Sequence, residues 1–207
     1  MEALVNKIES LKKSEVSKVV DQRINEFKNI NKKSTDELFK EMSFCMLTAN
    51  FNAEKSIKIQ NEIGESFSND SKDELSKKLK NYGHRFPNSR AEYISESLKC
   101  KDKLKEIVQF HDKKALREWI VNNVKGLGYK EASHFLRNIG FDDYAIIDFH
   151  IVDILVGHKL IERPNSLTKK KYLEIEDLLR KLAKKTNLTL AELDLYLWYL
   201  ETGKVLK

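Results

Sequence analysis

An all-α protein is the fold class that this sequence predicts. Only seven glycines and two prolines punctuate 207 residues. The strict apolar–polar alternation of a half-buried strand is almost absent, and apolar residues recur at helical spacing along most of the chain. The length suits one compact domain or two small lobes sharing an interface.

Taken in order, residues 14–30 place Val16, Val19, Val20, Ile24 and Phe27 at helical spacing. Ser34 reads as the N-cap of a helix carrying Leu38, Met42, Cys45 and Met46, with Glu37 at the capping-box position. Its stretch MSFCMLTANF is apolar on several sides, so this helix is expected deep in the core. Further helices are expected at 53–63, 71–81, 89–99 and 112–123. The polar and aromatic turn GHRFPNS, residues 83–89, interrupts them, and its Pro87 blocks a continuous helix. Later helices are expected at about 148–157, 168–185 and 189–202, with a loop around Pro164. The lysine runs at 169–171 and 184–185 read as solvated helix faces.

Composition narrows the class of partner. Lysine and arginine number 38 against 32 acidic residues, a net charge of +6, and such a surplus attracts polyanions. No stretch approaches the ~20 consecutive apolar residues of a membrane span, and the opening MEALVNKIESLKKSE is charged where a signal peptide is apolar. A cytoplasmic protein without membrane association is therefore expected. The two cysteines, Cys45 and Cys100, lie far apart and offer neither a disulfide framework nor a four-thiolate cluster. His134 and His150 have no cysteine or acidic partner at zinc-binding spacing, so no metal site is expected.

The informative segment is LREWIVNNVKGLGYKEASHFLRNIG, residues 116–140, which reads as helix, tight turn, helix. Gly126 and Gly128 supply the permissive backbone of the turn, and Leu127 tucks between the helices. Exposed backbone N–H groups and the positive end of the second helix then make an anion site suited to a phosphate. Such a hairpin holds a DNA backbone without reading its sequence. The plain alternative is a short glycine turn between antiparallel helices with no ligand.

Lys130 shifts the balance. A cation on the first turn of a helix opposes the dipole, at a cost of roughly 0.3–1 kcal/mol if exposed, so stability alone does not favour it. The same field, with partial burial, favours the neutral and nucleophilic form of an amine. Downstream, Ala145, Ile146 and Ile147 form a short apolar run ending in Asp148. Asp148 reads as an N-cap for the next helix, and one carboxylate oxygen could still face a cleft.

At these residues the sequence resembles the helix-hairpin-helix superfamily of DNA glycosylases. The likeness rests on VKGLGYKEASHFLRNIG followed by AIIDFHI. A lysine after the hairpin marks the bifunctional branch, and the chain is most similar to the archaeal-type 8-oxoguanine DNA glycosylase/lyase family. FCMLTANF, GHRF, AELDLYLWYL and the closing TGKVLK extend the likeness nearly from end to end. The resemblance implies two helical lobes with an active-site cleft between them. A helical barrel would span about 31–143, with the hairpin at about 116–140, and residues 1–30 would join 144–207 in a second lobe.

It also implies roles. Lys130 would attack the sugar C1′, with Asp148 stabilising the cationic transition state and helping to activate the amine. A Schiff base and β-elimination of the 3′ phosphate would follow. The partner would be double-stranded DNA containing 8-oxoguanine or an abasic site, bound by a monomer. Phe86, Trp198 and Lys207 occupy the positions that sandwich and recognise the base, although Trp198 lies among Leu193, Leu197 and Leu200 and could equally be core. His84 and Arg85 would wedge into the duplex or meet the opposite strand, or serve as ordinary loop residues; His150 would fix its loop or touch a phosphate. The superfamily's iron–sulfur branch carries four cysteines near the C-terminus, whereas this chain has none after Cys100, so no cofactor is expected. Two other readings stay open: a glycosylase/lyase for another oxidised base, and a non-catalytic hairpin module that only grips DNA.

Overall fold

The computed structural model describes residues 1–109 and 112–207, and the described residues hold helices and no strand. Among them, no helix is long and apolar enough to cross a membrane. The chain divides into two compact units, residues 30–135 and residues 1–29 with 136–207. The second boundary falls between Phe135 and Leu136, inside a helix.

In the unit of residues 30–135, α3 (Thr35–Thr48) is the centre. Its side chains from Leu38 to Thr48 are buried with the exception of Lys40, as a helix apolar on all sides requires. Ser34 caps it by accepting the Glu37 N–H at 3.3 Å. Around it pack α4 (Ala53–Ile63), α5 (Ser66–Asn69), α7 (Pro87–Ser97), a 3-10 segment (Leu98–Lys103) and α8 (Leu104–Ile107). Two of its buried polar side chains pair with each other: Gln60 donates to Glu41 at 3.1 Å, and also to the Lys40 carbonyl at 3.3 Å. α6 (Lys72–Asn81), started by a Ser71–Glu74 capping box, packs along α7. Pro87 does not hold the helix back to residue 89. It occupies the first helical turn, where the missing N–H costs nothing, and α7 starts there. α9 (Lys113–Asn123) and most of α10 (Tyr129–Asn138) complete this unit.

The other unit joins α1 (Glu2–Lys12) and α2 (Val16–Ile30) to α11 (Phe149–Gly157), α12 (Lys169–Lys185) and α13 (Leu190–Thr202). α13 lies against α1, α11 and α12. Val19, expected on the apolar face of α2, stands 46% exposed. The buried side of that helix follows Val20 and Phe27 instead, with Val16 and Ile24 half-buried beside them. Gly140 adopts φ +95°, and a Cβ there would lie 2.9 Å from the Lys28 Cα, so the chain passes too close to α2 for any side chain.

Residues 144–147 run without helical bonds, yet all are buried. Side chains of α12 meet part of their backbone. The Ala145 N–H donates to Glu176 at 3.1 Å, the Ile147 N–H to the Tyr172 hydroxyl at 3.2 Å, and that hydroxyl donates to the Ala145 carbonyl at 2.7 Å. This fixed rail delivers Asp148 to the start of α11. Both cysteines are buried free thiols, and Met42 and Met46 are fully buried in α3.

Candidate active site

The turn between α9 and α10 has the geometry that its glycines imply. Leu127 and Val124 are buried, and Leu116 and Ile120 of α9 are fully so. Gly126 adopts φ +89°, and a Cβ on it would sit 2.5 Å from the Tyr93 ring. Both backbone conformation and close approach therefore demand glycine. Three further contacts hold the helices together. Arg117 donates to the Ser133 hydroxyl at 3.1 Å and lies 5.1 Å over the Tyr129 ring, while the Tyr129 hydroxyl bonds Glu118. Lys125 is held by Glu92 and Glu96 of α7, at 2.6 and 2.8 Å.

Lys130 lies on the first turn of α10 with its side chain 26% exposed. Its ammonium is 3.2 Å from the carboxylate of Glu131, a neighbour in sequence that the motif gave no reason to single out. Residues one apart on a helix do not normally face each other, so this contact requires the two side chains to converge.

In the turn before α7, His84 is buried, not presented at the surface. Its Nδ1 accepts the Phe86 N–H at 3.0 Å, and its Nε2 faces the Leu47 carbonyl at 3.1 Å, which fixes the neutral tautomer with the proton on Nε2. Burial, chiefly, holds its pKa below the ordinary imidazole value; the Arg90 cation adds to this and the bond to Leu47 opposes it. Phe86 is half-buried, with the guanidinium of Arg85 5.0 Å and that of Arg90 5.5 Å from its ring centre. Arg85 is exposed, whereas Arg90 is buried and donates to the Ala49 carbonyl at 2.6 Å. The structure thus gives His84 the duty of shaping the turn that presents Arg85 and Phe86.

In the other unit, Asp148 caps α11 by accepting the Ile151 N–H on Oδ1 at 3.1 Å. The next residue, Phe149, is 71% exposed, an unusual state for a phenylalanine. His150 meets Trp198 edge to face at 4.8 Å and lies 3.8 Å from Glu201. Leu193 and Leu197 are core, but Trp198 is only half-buried, and its indole Nε1 is enclosed without a hydrogen-bond partner among the described residues. Lys207 is also half-buried.

Sequence reasoning missed Asp194. It lies one helical turn before Trp198 on α13, the same face of the helix. Its side chain is 12% exposed and pairs at 3.1 Å with Arg137, itself 4% exposed and stacked 4.6 Å from the Phe27 ring. Burial pushes its carboxyl up to about 6, against the pull of Arg137, and the negative charge of Asp148 pushes the same way. The available signal was a lone acid inside the apolar run LDLYLWYL. Among the described residues no group of histidines, cysteines and acids could hold a metal ion.

An all-helical fold carrying a glycine hairpin, with a lysine on its second helix, defines the helix-hairpin-helix class. A family model described as 8-oxoguanine DNA glycosylase matches residues 20–188, and the chain belongs to that family. A relative from Methanocaldococcus jannaschii, named 8-oxoguanine DNA glycosylase/AP lyase, is 54% identical over 206 residues, 99% of each chain. One of the same name from Korarchaeum cryptofilum is 50% identical over 99% of this chain and 98% of its own. The fold matches the crystal structure of the M. jannaschii glycosylase/lyase in complex with 15mer DNA containing 8-oxoguanine, with TM-score 0.97 and 53% identity, covering 99% of this chain and all of that one. It also matches the Thermotoga maritima 8-oxoguanine DNA glycosylase, with TM-score 0.95 and 45% identity over 100% and 99%.

Proposed function

We propose that this protein excises 8-oxoguanine from duplex DNA and then cleaves the abasic strand, acting as a monomer in the cytoplasm where the DNA lies. The observation that carries the reading is the near-full-length likeness to a glycosylase/lyase solved with 8-oxoguanine DNA, with Lys130 and Asp148 both present. The Lys130 amine forms a bond to C1′ as the bond from C1′ to the base breaks, and the base leaves with the electron pair and takes up a proton. Ring opening gives an imine, and loss of a C2′ proton expels the 3′ phosphate. Asp148 stabilises the positive charge that develops on the sugar.

The hairpin turn of Gly126, Leu127 and Gly128 grips the phosphate backbone. Phe86 and Trp198 stack on the flipped base, with Lys207 against it. Arg85 and His150 contact the DNA, and the exposed ring of Phe149, next in sequence to Asp148, meets it as well.

Borohydride trapping tests the reading, because an imine becomes a permanent protein–DNA link. Trapping is expected with 8-oxoguanine duplexes and is expected to vanish in Lys130→Gln. Undiminished trapping in that variant would remove Lys130 as the nucleophile, and trapping confined to another oxidised base would replace the substrate.

A further inference from the structure

Glu131 is the third residue of α10, a place from which a glutamate ordinarily reaches back to the N–H that opens the helix. One of its oxygens turns to the Lys130 ammonium, at 3.2 Å, and the side chain is only 15% exposed. The other oxygen lies over the hairpin, where a Cβ on Gly128 would come within 3.3 Å of it. The helix dipole accounts for an acid at this end of α10. It does not account for a carboxylate turned to the lysine one position before it, a pair that helical geometry does not bring together. The chemistry of Lys130 supplies a reason. Once its nitrogen has displaced the base, that nitrogen is bonded to C1′ and carries two protons and a positive charge. The C1′–O4′ bond must then break, with a proton delivered to O4′. Only C1′ separates the two atoms, so a carboxylate bonded to the nitrogen has its second oxygen within reach of O4′.

We propose that Glu131 is the proton carrier for this ring opening. Its carboxylate takes one proton from the C1′-bound nitrogen. The nitrogen lone pair then forms the C=N bond as the electrons of C1′–O4′ pass to O4′, which receives the same proton from Glu131. The products are a protonated imine, a free hydroxyl at C4′ and the regenerated carboxylate, so no outside acid or base is consumed. The rival role is a plain counter-charge for the ammonium, and the two differ in sign. A carboxylate that only pairs with the ammonium holds it charged and unreactive, so its removal would speed attack. Removal of a proton carrier stalls the reaction after the base has gone.

The role of Glu131 rests on the Lys130 chemistry proposed above, and single-turnover assays of the full chain on an 8-oxoguanine duplex separate the two. Base release is read by alkaline cleavage of the strand, and imine formation by borohydride trapping. Glutamine suits the third helical position as glutamate does, and Glu131→Gln is expected to slow imine formation roughly a hundredfold more than base release. Glu131→Ala is expected to be as slow in chloride and to recover in formate at equal ionic strength, because formate supplies a carboxylate. No recovery overturns the proposal even where Glu131→Gln fails to fold. Trapping that is unchanged or faster in Glu131→Gln, or base release slowed as much as trapping, likewise overturns it. Lys130→Gln is run in parallel: undiminished trapping there sinks the parent reading, whereas lost trapping there with wild-type trapping in Glu131→Gln sinks only this one.

Discussion

His84 shows how a residue chosen for one task can be committed to another. Both ring nitrogens are engaged within the turn, and the folded state keeps the ring neutral. The unfolded chain binds a proton below about pH 6.5, so unfolding takes up a proton there and stability falls as pH drops from that value toward the lower folded pKa. Thermal melts at about pH 7.5 and about pH 5.5 should show a smaller loss of Tm in His84→Gln than in wild type. An equal loss would mean that the ring is already charged when folded. A histidine in a polar turn looks exposed in sequence. Its partner Leu47 lies 37 positions away, a separation no local pattern spans. The same holds for Asp194 and Arg137, 57 positions apart.

At the scale of elements, helical spacing made most helices legible, with only Ser34 and Asp148 read as caps; the structure adds the rest. Ser34, Asn52, Ser71, Thr168 and Thr189 each accept the backbone N–H expected of an N-cap. What escaped was short or weakly apolar: α1 buries only Leu4 and Ile8 in a Lys- and Glu-rich stretch, and α5 and α8 are single turns without a readable period. Asp148 was legible as a cap, and its structure separates two effects. Asparagine caps as well as aspartate, whereas alanine costs about 1 kcal/mol. Asp148→Asn should therefore keep the wild-type Tm and duplex affinity while slowing base release, and Asp148→Ala should lower Tm as well. A large loss of Tm in the asparagine variant would assign the carboxylate to folding rather than to chemistry. The rail before it was not legible: AII reads as an apolar run, and only Tyr172 and Glu176 of α12 show why it need not be helical.

For the molecule as a whole, the net charge of +6 and the phosphate-binding role proposed for the hairpin make duplex binding an electrostatic event. Raising salt from about 50 to about 200 mM should weaken binding of undamaged duplex by tenfold or more, while base release from an already saturated complex should change little. A salt-insensitive affinity in a titration by fluorescence anisotropy would argue against phosphate contacts as its source. The fold class and the hairpin were legible because glycine spacing and helical period are local; the neighbours of Asp148 were not, because α11, α12 and α13 converge only through tertiary packing. One consequence concerns chemical wear. Oxidants attack sulfur where solvent can bring it to them, yet Cys45, Met42 and Met46 are wholly enclosed and Cys100 nearly so. A peroxide burst that damages guanine would thus find little sulfur to attack on the molecule that answers it.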